Sequence, residues 1–88
     1  MALWQIKYTA QARKTLNKLD RTIKDRIEKY MNELCEMPNP KIKGKGLTSS
    51  RVGQWRYRVG DFRVICEIHG DIFVVLVLEI GHRSNVYK

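Results

Sequence analysis

Two short Gly-Asp pairs constrain this sequence most, because each stands between two runs rich in β-branched and aromatic residues. The pairs are Gly60-Asp61 and Gly70-Asp71. Gly-Asp is favoured in the two-residue turns that close β-hairpins. The spacing therefore predicts a three-stranded antiparallel meander. The predicted turn pairs are Val59 with Phe62 and His69 with Ile72.

Counting outward from these turns places arginines on one face of the predicted sheet. Directly opposed residues share a face, and alternate residues switch faces. The predicted rows are Arg58–Arg63–Leu78 and Arg56–Ile65–Leu76. Like charges placed opposite each other destabilise a sheet by about 0.2–1 kcal/mol. Such an opposed pair is therefore unusual on a surface that binds no ligand.

The other face of the predicted sheet is apolar throughout and has to be covered. It is therefore predicted to face the core, which makes Trp55 a core residue rather than a stacking platform. The predicted core residues are Trp55, Tyr57, Val59, Phe62, Val64, Cys66, Ile68, Phe73, Val75 and Val77.

The N-terminal half supplies the elements that could cover this face. Residues 3–8 place apolar side chains at every second position, which predicts a half-buried strand. Thr9 is a candidate N-cap for a helix over about residues 10–19. A second, amphipathic helix is predicted from Arg21 to about Met37. Two prolines end it, and the basic stretch 41–52 is expected to be a mobile connection. The sequence predicts one α+β domain over residues 1–88. Two N-terminal helices pack on one face of a mainly antiparallel sheet of about four strands, in the order β-α-α-β-β-β.

Charge points to an anionic partner. The net charge is +8, and between Lys41 and Arg63 the chain carries seven cations against Asp61 alone. Nucleic acid, an acidic protein or an anionic membrane would each satisfy this excess. The most apolar stretch, 74–78, is too short to span a bilayer, so no transmembrane segment is expected. Two isolated cysteines and no ligand cluster favour a reduced cytosolic protein without metal or cofactor.

Three arginines and the C-terminal residues are candidates for chemistry. Guanidinium forks match phosphate oxygens, so the arginine rows suit a phosphodiester, although a merely solvated basic face is the alternative. The last predicted strand ends beside these arginines, so a cation, an imidazole and a phenol can converge there. His82 could move a proton or be structural, and Tyr87 could stack on a base, exchange a proton or close the edge of the core. The arginines are Arg56, Arg58 and Arg63.

With these residues in place, the chain resembles the RelE/ParE superfamily of bacterial toxins. The resemblance covers nearly the whole length and rests on the W-R-Y-R strand, Arg63, the basic connection and the ending G-H-R-S-N-V-Y. It implies the toxin of a type II toxin-antitoxin system, held inactive by an acidic antitoxin. RelE-type members cleave mRNA in the ribosomal A site, whereas ParE-type members inhibit DNA gyrase without nuclease activity.

The residues favour the RelE branch, with gyrase inhibition as the alternative and a simple RNA-binding module as a third possibility. The resemblance implies a cytoplasmic, metal-independent endoribonuclease acting through the ribose 2′-hydroxyl. It would be monomeric alone and form a hetero-oligomer with its antitoxin, contacting mRNA and ribosomal RNA but no membrane. One departure from RelE concerns the general base. The second-strand positions, here Arg56 and Arg58, are commonly lysine in RelE. A lysine there could lose its proton and act as a base, whereas an arginine hardly can. The implied catalytic residues are Arg58, Arg63, Arg83, Tyr87 and His82, and the implied substrate-binding residues are Arg56, Lys43, Lys45 and Arg51.

Overall fold

A computed structural model describes residues 3–48 and 52–82 of the chain. Five strands form one sheet in the order β1-β5-β4-β3-β2, with β1 parallel to β5 and the other neighbours antiparallel. The α+β class is confirmed, and a fifth strand of two residues joins the sheet at its edge. The elements are β1 (Gln5–Tyr8), α1 (Ala10–Lys18), α2 (Arg21–Cys35), a short 3-10 helix (Pro40–Ile42), β2 (Lys45–Gly46), β3 (Gln54–Val59), β4 (Phe62–His69) and β5 (Val74–His82).

Both helices begin at capped residues. The Thr9 hydroxyl accepts a hydrogen bond from the Ala12 amide at 3.1 Å, and an Asp20 carboxylate oxygen accepts one from the Thr22 amide at 3.2 Å. These bonds satisfy amides that have no partner within the helix. Helix α2 ends at Cys35, two residues before the predicted end, because a residue that precedes a proline, as Met37 does, is disfavoured in helical conformation.

The core lies between the helices and one face of the sheet. Its helix side includes Leu16, Ile27 and Met31, all fully buried. Ile6 and Tyr8 of β1 pack against the same core, so the predicted alternation of that strand is confirmed. The sheet side includes Tyr57, Val59, Val64, Cys66, Val75, Val77 and Ile80.

The first hairpin has the predicted register. Val59 pairs with Phe62, and Arg58 lies directly opposite Arg63. Gly60 has a φ of 60°, the positive value that a primed two-residue turn requires. The turn thus fixes the first arginine pair where the sequence placed it.

The second hairpin differs from the prediction. His69 pairs with Val74 rather than Ile72, so the loop has four residues instead of two. The loop is held by β1, because the Phe73 carbonyl accepts a hydrogen bond from the Gln5 amide at 2.8 Å. Phe73 adopts a φ of 54° and is 48% exposed, so its predicted place in the core is wrong.

An irregularity between Ile65 and Cys66 shifts the register of β5 again. Cys66 pairs with Val77, but Ile65 pairs with Glu79, so Leu78 is an extra residue of the kind found in a β-bulge. A shift of one residue exchanges the faces of a strand. Beyond the bulge, therefore, the predicted Leu78 partner of Arg63 is wrong. The observed rows are Arg63 with Gly81, Ile65 with Glu79 and Glu67 with Leu76.

The described part of the basic connection is structured, in contrast to the mobile loop expected from the sequence. The Tyr57 hydroxyl donates to the Pro40 carbonyl at 2.7 Å, and the Trp55 indole nitrogen donates to the Lys43 carbonyl at 2.7 Å. Two core-facing aromatic residues of β3 therefore hold the segment that carries the lysines beside the sheet edge.

Candidate functional site

The sheet face opposite the helices carries the predicted arginines, and we call it the arginine face. Arg58 and Arg63 face each other across β3 and β4, and the third member of their row is Gly81, which has no side chain to fill the space. The neighbouring row runs Lys45, Arg56, Ile65, Glu79. Adjacent strands lie about 4.8 Å apart, so both rows bring several charges within reach of one small ligand.

The two opposed arginines have different environments. Arg58 is exposed, whereas the Nε and Nη1 atoms of Arg63 are buried. Ile65, next to Arg63 on the same face, is completely buried. A charge attracts an anion more strongly where water is excluded. Arg63 is therefore the better fixed of the two cations, and Arg58 is the more accessible.

A pocket opens at the edge of the sheet, where β2 begins and α2 packs against β3. We call it the rim pocket. Gly44 has a φ of 76°, and a Cβ there would lie 2.3 Å from the Arg56 carbonyl oxygen, so the chain can pass this close to β3 only with glycine. The lining residues are Tyr30, Gly44, Lys45, Arg56 and Arg58.

Some of the other predicted site residues lie near the rim pocket, and others do not. Lys45 lines the rim pocket, and the Lys43 ammonium lies 5.6 Å from the centre of the Tyr30 ring. His82 pairs with Phe62 and contacts its ring edge-to-face at 5.7 Å, which places it on the helix-facing side of the strand. The remaining candidates, Arg51, Arg83 and Tyr87, lie outside the described residues.

Two residues of this surface were missed by the sequence reasoning. Glu79 reaches the arginine face only because of the bulge, and no sequence signal marks the bulge. Tyr30 was assigned to the core face of α2 by its helical spacing, yet it is half-buried and lines the rim pocket. An aromatic residue at the border of an apolar helix stripe, next to basic residues, is the signal that could have found it.

A second polar pair lies farther along β4. The Glu67 carboxylate and the His69 imidazole are 3.0 Å apart and both are partly exposed. Glu67 pairs with Gln54 and Leu76, outside the rows of the opposed arginines.

Buried phenols and thiols near the site are held neutral. Burial raises the pKa of Tyr57 and Tyr30, and it raises the pKa of Cys35 to about 11. These groups therefore add no negative charge beside the arginines at neutral pH. Among the residues described, no cluster of three or more His, Cys, Asp or Glu side chains could hold a metal ion, and no helix could cross a membrane.

Comparison with known proteins places the chain in a toxin family. The family model of the ParE toxin of type II toxin-antitoxin systems matches residues 6–87. A RelE-like toxin protein of Escherichia coli is 26% identical over 88 residues, which cover 97% of this chain and 90% of that protein. The chain therefore belongs to the ParE toxin family, within the RelE/ParE superfamily.

Solved structures agree with this assignment. The RelBE2 toxin-antitoxin complex of Mycobacterium tuberculosis contains a chain with a TM-score of 0.84 and 26% identity, and 97% of each chain is covered. The isolated RelE toxin of Escherichia coli has a TM-score of 0.74 at 22% identity, covering 96% of this chain and 90% of that one. The RelE-like fold is thus confirmed, and this protein is a type II toxin of the RelE/ParE superfamily.

Proposed function

We propose that this toxin is an mRNA interferase, an endoribonuclease that cleaves mRNA in the ribosomal A site and so inhibits translation. The observation that carries the proposal is the Arg58–Arg63 pair, in which two guanidiniums are opposed on a sheet face away from the two helices. Arg56 and Lys45 add cations in the next row. Opposed like charges cost a sheet stability, and an anionic ligand that neutralises them would explain why they are retained.

The proposed reaction needs no nucleophile from the protein. The ribose 2′-hydroxyl attacks the adjacent phosphorus and gives its proton to a base. The bond from phosphorus to the 5′-oxygen then breaks, and that oxygen takes up a proton. The products are a 2′,3′-cyclic phosphate and a free 5′-hydroxyl. The negative charge that develops on the phosphoryl oxygens is what the protein has to stabilise.

Arg63 and Arg58 are proposed to bind these phosphoryl oxygens. Arg63 already has two guanidinium nitrogens buried, so little reorganisation is needed when charge develops beside it. Arg56, with Lys43 and Lys45 at the rim, is proposed to hold the neighbouring phosphates, and Arg51 is assigned the same role. Phosphate contacts of this kind supply affinity without sequence preference.

Proton transfer is assigned to residues at and near the end of β5. Tyr87 is proposed to orient the nucleotide and to accept the 2′-hydroxyl proton, and Arg83 to face the leaving oxygen. His82 lies beside Phe62 on the helix-facing side of β5, so no part in the reaction is proposed for it. Glu79 is a second candidate for the base, because it lies one row from Arg63 on the arginine face. A carboxylate is a proton acceptor, which an arginine is not.

The proposal includes two kinds of partner. The substrate complex is mRNA on the ribosome, which places the toxin in the cytoplasm. The second partner is an acidic antitoxin that covers the basic surface. The antitoxin proposal is supported by solved structures of related toxins in RelB–RelE complexes. One is the archaeal complex from Pyrococcus horikoshii, which contains a chain with a TM-score of 0.74. Alone, the toxin is proposed to be monomeric.

A second candidate function is inhibition of DNA gyrase without nuclease activity. The observation that favours it is the match to the ParE family model. In that case the same basic surface would contact protein or DNA.

The deciding experiment is primer extension on a reporter mRNA in a translating extract. We expect discrete cuts at in-frame codons with the wild type and a roughly 100-fold or greater loss with Arg63→Ala. The matched control is Arg21→Ala, which removes a guanidinium that is 93% exposed on α2 and should cut normally. Intact mRNA, together with loss of gyrase supercoiling by the same preparation, would instead establish the second function.

A substrate test addresses the chemistry. An mRNA with a deoxyribose at the cleaved position has no 2′-hydroxyl, so it should bind but not be cut. Equal cutting of this substrate would rule out the proposed reaction.

A further inference from the structure

Tyr30 presents an aromatic ring beside the arginine face without belonging to the sheet. It lies on the border of α2, and its ring packs at a tilt against Tyr57 with 6.2 Å between ring centres. Tyr57 is itself completely buried and anchored through its hydroxyl to the Pro40 carbonyl. The position of the Tyr30 ring is therefore fixed by a buried neighbour.

Two grooves meet at this ring. One is the rim pocket, in which Tyr30 lies with Lys45 and two arginines of β3. The second runs along α2 to the first hairpin turn, and Tyr30 and Arg58 line both grooves. The second groove is lined by Arg26, Lys29, Tyr30, Glu33, Arg58, Val59 and Gly60.

Charge along the two grooves has one predominant sign. Three cations line the rim pocket, and none of its described lining residues is acidic. In the second groove Arg26, Lys29 and Arg58 stand against Glu33 alone. A continuous cationic track with a half-buried aromatic ring in its lining is the arrangement by which proteins bind single-stranded nucleic acids, with phosphates on the cations and a base on the ring.

We infer that Tyr30 and the rim pocket form a binding subsite for a nucleotide flanking the cleaved bond of single-stranded RNA, with the base stacked on the Tyr30 ring and its phosphates on Arg56 and Arg58. The inference rests on the proposed function and extends it from the arginine face to α2. The rim pocket measures about 240 Å³, and its position beside Arg58 makes it continuous with the phosphate-binding row.

The chemistry of the ring suits this role. Burial raises the pKa of Tyr30, so the phenol stays neutral at physiological pH and does not repel a phosphate. The Lys43 ammonium now lies near the ring at 5.6 Å, on an exposed and flexible side chain. When a base stacks on the ring, this ammonium can turn to a phosphate. The subsite is indifferent to base identity, because every base has a π face.

The test measures binding of a single-stranded 2′-O-methyl RNA oligonucleotide, which the proposed reaction cannot cleave. Affinity is measured by fluorescence anisotropy over a series of salt concentrations for the wild type and for Tyr30→Ala, Tyr30→Leu and Tyr30→Phe. Leucine keeps apolar volume against Tyr57 but has no π face, and phenylalanine keeps the ring. Thermal unfolding of each variant shows that it is folded.

We expect Tyr30→Ala and Tyr30→Leu to bind roughly tenfold more weakly, and Tyr30→Phe to bind within about twofold of the wild type. The slope of affinity against salt should stay unchanged in all three, because no phosphate contact is lost. By contrast, Arg58→Ala should reduce that slope by about one phosphate contact. If Tyr30→Ala does not fold, the comparison of leucine with phenylalanine carries the test alone.

Three results would overturn the inference. The first is wild-type affinity in Tyr30→Leu, and the second is an equal loss in Tyr30→Phe. The third is no RNA binding by the wild type, which leaves the cleavage experiment on ribosomes to decide the proposed function separately. If the leucine variant keeps its RNA affinity but loses binding to an acidic antitoxin, the pocket is a protein interface instead.

Discussion

Replacing Arg58 should make the protein more stable and less able to bind RNA. Arg58 lies directly opposite Arg63, and its side chain is exposed, so its removal leaves no cavity. Opposed like charges cost a sheet about 0.2–1 kcal/mol. The variant Arg58→Met keeps the unbranched stem and removes the charge. Its free energy of unfolding should therefore rise by that amount.

The gain can be measured by thermal unfolding. In a domain of this size 1 kcal/mol corresponds to a shift of about 4–8 °C in Tm, so the gain of about 0.2–1 kcal/mol should make Arg58→Met melt about 1–8 °C higher than the wild type. Salt should reduce the difference, because the Debye length falls from about 10 Å at 0.1 M to about 3 Å at 1 M. Arg58→Lys keeps the charge and is the control, with no expected gain. A lower Tm for Arg58→Met at low salt would refute the reasoning.

The same variant should lose RNA affinity. One fewer phosphate contact lowers the slope of log affinity against log salt by about 0.7 for a single strand. Stability and binding then change in opposite directions at one residue, which is the expected signature of charges retained for a ligand. If Arg58→Met gained stability but bound RNA with the wild-type slope, the repulsion would have no functional explanation in phosphate binding.

Three further predictions follow from particular contacts. Tyr57→Phe removes a buried hydroxyl that donates to the Pro40 carbonyl at 2.7 Å and should lower the free energy of unfolding by about 1–2 kcal/mol, measured in urea; a change near zero would show that the bond is replaced. Burial raises the pKa of Cys35 from 9.0 to about 11 and also raises that of Cys66, so above about pH 9 the unfolded chain releases protons that the folded chain keeps. Stability should therefore fall as pH rises, with a smaller slope in Cys35→Ala, and a flat profile would contradict this assignment. Glu79→Gln should reduce cleavage while leaving RNA binding unchanged, and cleavage at the wild-type rate would remove Glu79 as the base.

The elements set by local sequence were predictable. Thr9 caps α1, and the Gly60-Asp61 turn fixes the Arg58–Arg63 pair, because each signal acts within a few residues of the structure it determines. The two-helix layer also followed from helical periodicity. Confirmation of the family places these elements in a RelE-like fold, but it does not itself assign a chemical role to any residue.

The second hairpin was not predictable, because its geometry depends on a distant strand. The Gly70-Asp71 pair has the composition of a two-residue turn, yet the loop extends to Phe73. That residue is held by the Gln5 amide and by an edge-to-face contact with Trp4, 5.2 Å between ring centres. Contacts with β1 thus override the local preference of the turn. The positive φ of Phe73 shows that the loop adopts a conformation its own sequence disfavours.

The two errors in β5 have different consequences for the site. The longer loop shifts pairing by two residues, which leaves faces unchanged, so Val75 and Val77 still face the core as predicted. The bulge shifts pairing by one more residue, so the residues of β5 after Leu78 lie on the opposite face from the one predicted. Ile80 therefore enters the core, while Glu79 joins the arginine face.

This exchange changes the chemistry available to the protein. With the observed loop but without the bulge, the strand would place Ile80 opposite Arg63 and Leu78 opposite Ile65, and would leave the opposed arginines without a carboxylate in the neighbouring row. With the bulge, Arg63 pairs with Gly81, and Glu79 offers a proton acceptor one row away. In the proposed cleavage reaction Arg56 and Arg58 hardly lose a proton, so a base would have to come from elsewhere in the sheet or from the chain end. The bulge brings one carboxylate, that of Glu79, into the row next to the opposed arginines, which is why Glu79 is proposed beside Tyr87 as a candidate base.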